Sequence, residues 1–187
     1  MQVEFQKTGE RRYAVKILRG DSSVLEMNPA PGFDELMPHD LCHFIVEQVL
    51  GIENAIFGQL AGKGTAGTFR NAPSASGNTK NDSRNRRKAA KKGKKMVKDN
   101  LDSYAQSERA TYIGWQNWLE NSQDEELKKR AAEMKPNADA TYAQMSAEEK
   151  ALYNKETLAK LRARMTELSA QWQNLKTGES MTVDWKV

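Results

Sequence analysis

The last seven residues alternate without a break: Met181, Val183, Trp185 and Val187 are apolar, and Thr182, Asp184 and Lys186 between them are polar. A period of two marks a strand with one buried face and one wetted face, and such a strand needs a partner ladder. The first 27 residues supply one. Val3 and Phe5 alternate with polar neighbours, Thr8-Gly9 breaks the run, and Tyr13, Val15 and Ile17 resume it. After the turn Gly20-Asp21-Ser22, a short strand follows around Val24 to Met27. This spacing predicts a three-stranded antiparallel meander, joined by the terminal strand so that the chain ends are tied together. Asn28-Pro29-Ala30-Pro31-Gly32 is expected to stop the third strand, because proline has no N–H for a ladder.

Between these ends the period is helical. A first helix is expected from about Asp34, with Pro38 in its first turn, Leu41, Phe44, Ile45 and Val49 on its apolar side, and Gly51 as its stop. A second, Ile52 to Leu60, ends in Gly62-Lys63-Gly64-Thr65-Ala66-Gly67. Those glycines have dinucleotide-fingerprint spacing, but they follow a helix where the fingerprint requires a strand, so they read as a hinge. Leu101, Tyr104, Tyr112, Trp115 and Leu119 predict a third helix; Glu125 to Met134 extends it or stands apart, until Lys135-Pro136-Asn137 interrupts. Ser146 and Glu149 form a capping box for a fourth, along which Leu158, Leu161, Met165, Leu168, Trp172 and Leu175 step by three and four, with Gly178 after them. Trp115, Trp118, Trp172 and Trp185 read as core or rim. The expected fold is α+β, a single domain over 1–187 with a small antiparallel sheet covered by about four helices.

Charge is unevenly placed. Ten basic residues and one acid, Asp82, lie between Lys80 and Lys98, so that window carries +9 in a chain of net +4 and leaves −5 for the rest. Residues 70–83 hold no large apolar side chain, and 62–98 reads as a flexible linker with a basic arm. Through Arg84, Arg86, Arg87, Lys88, Lys91, Lys92, Lys94 and Lys95 the arm is suited to phosphate backbones, though it has no aromatic residue on which a base could stack. The alternative is a solvated helix extension. The single cysteine, Cys42, excludes an internal disulfide and fits a reducing compartment, and with no export signal or membrane span the expectation is a cytoplasmic protein.

The chemistry-bearing feature is Pro38-His39-Asp40-Leu41-Cys42-His43, which contains both histidines of the chain. Spaced i, i+4 on a helix, they present two imidazoles on one face, where a divalent transition metal such as zinc can be held. Glu47 continues that face as a third candidate, but it lies about 12 Å along the axis from His39 and can share an ion with His43 more easily than with both. A further ligand is then expected from another element, such as Glu53, Asp34 or the far helices. Asp40 can support a ligating histidine, and Cys42 points away as a small hydrophobe. If the chain is an enzyme, metal-assisted hydrolysis is the class such a site implies. The alternatives are structural histidines, metal-free acid–base chemistry, a nucleic-acid-binding module, or an interaction protein that forms a homodimer through its last helix.

Several segments resemble a family of small uncharacterised bacterial proteins: Thr8-Gly9-Glu10-Arg11-Arg12-Tyr13-Ala14-Val15, Met27-Asn28-Pro29-Ala30-Pro31-Gly32, Pro38 to Phe44 with Val46-Glu47, and Gly178-Glu179-Ser180-Met181-Thr182. The resemblance implies a bacterial, cytoplasmic, one-domain protein and carries no activity. His39, Asp40 and His43 are also similar to the His-Asp-x-x-His of zinc-motif proteins of ubiquinone biosynthesis, with Ala55 where that family has glutamate. HD-type phosphohydrolases share His-Asp but need further histidines, which this chain lacks.

Overall fold

A computed structural model describes residues 1–72, 91, 95 and 98–186. Strands β1 (Gln2–Gly9), β2 (Arg12–Leu18) and β3 (Val24–Ala30) form the meander, and β5 (Ser180–Asp184) pairs antiparallel with β1, Val183 opposite Val3 and Met181 opposite Phe5. The two-residue β4 (Arg70–Asn71) borders β3, giving the order β4-β3-β2-β1-β5. Val3, Phe5, Tyr13, Val15, Ile17, Leu25, Met181 and Val183 are buried, as the alternation requires. Contrary to expectation, β3 runs through Pro29 to Ala30. It can do so because β4 pairs only with Leu25 and Glu26, so Pro29 lies beyond the bordered part of the strand, where no N–H is demanded. β4 itself falls at the start of the expected linker.

Helix α1 (His39–Leu50) starts five residues later than expected, with Pro38 as an extended N-cap residue (φ −69°, ψ 151°), and ends on Gly51 in the left-handed region. All eight residues from Asp40 to Glu47 are buried. A helix buried all round lies inside a domain, so its polar side chains must find partners there. Phe44 packs edge-on against Phe5 of the sheet and Phe57 of α2 (Ile56–Ala61). Helix α3 (Leu101–Glu120) meets α1 at Gly114, where a Cβ would lie 3.2 Å from Val46 Cγ1 and 3.0 Å from Met165 Cε. That absent side chain lets α3 lie close enough for Ser107, Glu108 and Thr111 to reach α1.

Helix α4 (Glu125–Ala143), capped by Asp124, stands apart from α3 and continues through Pro136. The expected interruption does not occur: Pro136 is exposed, and there water can take the place of the missing helical hydrogen bond. The capping box is also divided. Ser146 caps the five-residue α5 (Ala147–Ala151), while Glu149 turns away to a two-bonded ion pair with Arg109 at 2.8 and 2.9 Å. The long heptad helix α6 (Lys155–Asn174) has its own cap, Asn154. Its Leu161, Met165, Leu168 and Trp172 are buried in the chain's own core, with Leu158 and Leu175 partly buried against it.

The 62–72 part of the expected linker is packed: Thr65, Ala66 and Phe69 are buried, and the Arg19 guanidinium donates to the carbonyls of Leu60 (2.7 Å) and Gly64. Arg84, Arg86, Arg87, Lys88, Lys92 and Lys94 lie outside the described residues; Lys91 and Lys95 are helical and exposed. Among the described residues no helix is long and apolar enough to cross a membrane.

Candidate metal centre

The polar stripe of α1 meets a polar stripe of α3. His43, only 1% exposed, sets its Nδ1 2.8 Å from Ser107 Oγ and 3.2 Å from Thr111 Oγ1. Ser107 Oγ donates in turn to Glu47 Oε1 at 2.7 Å, so its lone pairs face the imidazole. With Nδ1 engaged by these hydroxyls, Nε2 is turned to the opposite edge of the ring. A hydroxyl partner behind one ring nitrogen is the support that orients a metal-ligating histidine.

That opposite edge faces His39 and Glu108. The two imidazoles are perpendicular with centroids 4.5 Å apart, and His43 Nε2 is 3.5 Å from Glu108 Oε1. One ligand atom from each of His39, His43 and Glu108 lies within 4.8 Å of the others. Two imidazoles and a carboxylate from two helices are a donor set of the kind that could hold a divalent transition-metal ion. Burial, then the neighbouring His43, lower the His39 pKa and keep its ring neutral, while the bond from His43 lowers that of Glu108 and keeps it ionised. Both groups are thus in the protonation state that coordination requires.

His39 is held at its base by Gly32, whose carbonyl accepts from His39 N at 2.9 Å. Gly32 has φ +77°, and a Cβ there would lie 2.7 Å from His39 Cβ. Gly32→Ala is therefore expected to displace His39 and weaken zinc binding about 10- to 100-fold, measured by competition with a chromophoric chelator.

Glu47, the sequence's third candidate, stands on the far edge of His43, its Oε1 3.9 Å from Nδ1. Its oxygens accept from Ser107 and from the backbone N–H groups of Ile56 (3.2 Å) and Phe57 (2.8 Å), so it caps α2, whose N-cap Ala55 has no side-chain acceptor. Complete burial pushes its carboxyl up to about 7 against those bonds, which pull the other way. A folded value above the unfolded one means the folded state holds the extra proton between pH 4.5 and 7, so this group's contribution to stability falls as pH rises through that window. In metal-free protein, the stability of wild type relative to Glu47→Gln is expected to drop by roughly 3 kcal/mol between pH 4.5 and 8 in urea unfolding.

Asp40 does not bond either histidine. It pairs with the Tyr13 hydroxyl, which also reaches the Pro31 carbonyl. Desolvation raises the Asp40 pKa, while the hydrogen bond that the Tyr13 hydroxyl donates to its carboxylate pulls it the other way. The pair ties α1 to β2. Cys42 is buried with Sγ 3.8 Å from the Thr111 carbonyl, a packing residue as expected. Glu53 is exposed, and Asp34 Oδ2 binds Arg130 at 2.8 Å.

Glu108, Ser107 and Thr111 carried no mark in the sequence beyond small or polar residues within a helical apolar pattern. The core face of α3 holds Ser107, Ala110, Thr111, Gly114, Trp115 and Leu119, while Leu101, expected on it, is 58% exposed. Two buried hydroxyls four residues apart on one helix are the signal that a polar partner faces them. His39 and Glu108 open onto a cleft of about 300 Å³ that Phe33, Trp115 and Arg130 also line. Comparison with protein-family models, curated proteins and solved structures found no match.

Proposed function

We propose that this chain binds one divalent transition-metal ion through His39, His43 and Glu108, and that the ion serves metal-assisted hydrolysis of a small molecule entering the cleft. The observation that carries this reading is the direction of the His43 ring, whose Nδ1 is engaged by Ser107 and Thr111 while Nε2 faces His39 and Glu108. A structural histidine needs one good partner; this one is oriented from behind and turns its Nε2 toward two further ligand-type side chains, where a metal ion would take the place of the Nε2 proton. A bound ion of this kind acidifies a coordinated water or polarises a carbonyl. Two histidines and one carboxylate suit zinc, and also iron or manganese, so the ion is identified by measurement.

The test is metal content of protein purified without an affinity tag, followed by titration with zinc, iron(II) and manganese(II). One ion per chain is expected. Protein that arrives metal-free and takes up none of the three sinks the proposal. The basic arm remains the second reading, resting on its charge pattern and on Lys91, Lys95 and Lys98, each helical and exposed. Salt-dependent retention on DNA by a protein that takes up no metal would favour it.

A further inference from the structure

We propose that the cleft selects small monoanionic carboxylates with an apolar body, the carboxylate held by Arg130 and the rest of the molecule directed toward His39 and Glu108. The inference rests on the metal reading for where the reacting bond sits, but the anion subsite has observations of its own.

Arg130 lines the same cleft as His39 and Glu108. Its guanidinium lies over the Trp115 ring, 5.3 Å from the centroid, and gives one hydrogen bond, Nη2 to Asp34 Oδ2 at 2.8 Å. Guanidinium offers five N–H donors in a planar fork, so four have no partner among the described residues. A stacked fork with free donors at the wall of a cavity is suited to bidentate carboxylate recognition. Trp115 Nε1, in the same wall, is buried without a partner among the described residues. Phe33, Met37 and Met134 complete an apolar surface, which calls for a hydrocarbon or aromatic body.

Charge narrows the class further. Arg130 is offset by Asp34, and Glu108 adds a negative charge; a divalent ion on the histidines then leaves the cleft one positive charge in excess. A monoanion balances that. A phosphate dianion would overshoot it beside two carboxylates, and the cavity of about 300 Å³ is at the small end for ligand sites.

The experiment is calorimetric titration of 3-phenylpropionate, and of its neutral amide, into zinc-treated protein whose zinc content has been measured independently. Arg130 is partly exposed and Asp34 keeps its Leu36 N–H acceptor as asparagine, so Arg130→Gln and Asp34→Asn are both expected to fold. The acid should bind and the amide should not. Arg130→Gln should retain zinc and lose about tenfold or more in carboxylate affinity. Asp34→Asn should gain about threefold or more, because a competing carboxylate has been neutralised. Unchanged binding in Arg130→Gln, or none to zinc-loaded wild type, overturns the subsite. If no zinc binds but Asp34→Asn takes up the acid through Arg130, the subsite stands and the metal reading falls. If neither zinc nor acid binds, both fall.

Discussion

His39→Ala and Glu108→Gln should each weaken metal binding by more than about 100-fold while leaving the metal-free melting temperature close to wild type. Both residues border the open cleft and neither is fully enclosed, so their removal opens no closed cavity. The matching change at His43 is less informative, because that ring is buried and its loss leaves Ser107 and Thr111 facing a void. A ligand that binds only the folded state stabilises it by mass action, so zinc should raise the wild-type melting temperature and move neither variant. A wild-type protein unmoved by zinc, or variants that shift as much as wild type, would remove the metal centre. Loss of the metal-free fold in both variants would instead show that the three residues act structurally.

Trp172→Ala should cost about 3–5 kcal/mol and lower the melting temperature by roughly 6–20 °C. Trp172 is fully buried on α6 and is the largest such side chain in the core. Its ring packs edge-on against Tyr13 of β2 at 6.0 Å and at a tilt against Phe33 at 6.2 Å, and Lys7 Nζ lies 5.0 Å above it. Its Nε1 donates to the Asp34 carbonyl at 3.3 Å. One side chain thus joins the sheet, the last helix and the loop that carries two cleft residues, Phe33 and Asp34. Alanine leaves a cavity and an unpaired carbonyl, and the loop loses its support. Thermal unfolding gives the stability change, and 3-phenylpropionate affinity, measured well below the lowered melting temperature, should fall with it. A loss under about 1 kcal/mol would mean that the layers are held elsewhere.

What could be read from the chain was what is periodic over short distances. The alternation from Met181 to Trp185 and from Val3 to Ile17 fixed the outer strand and the meander, because side-chain direction in a strand repeats every two residues whatever it packs against. The His39–His43 spacing likewise needed only the rise of a helix to place both rings on one face, and that rise already set Glu47 too far along to share an ion easily with both. Asn154 at the true start of α6 and the passage of α4 through Pro136 were harder to read, since solvent exposure and the competing Arg109–Glu149 pair decide them.

The third member of the proposed ligand set belongs to another order of information. Glu108 is one acid among 25, distant in sequence from the histidines, and no local pattern distinguishes it. It meets them because Gly114 lets α3 approach α1 closely, and because the rotation of α3 puts Ser107 and Thr111 behind His43 with Glu108 beside it. Sequence by itself determined the strands and the helical histidine pair. The tertiary structure alone decided which carboxylate stands beside that pair and which caps α2, because a helix's neighbours follow from packing distance and rotation, and neither is written in the order of its residues.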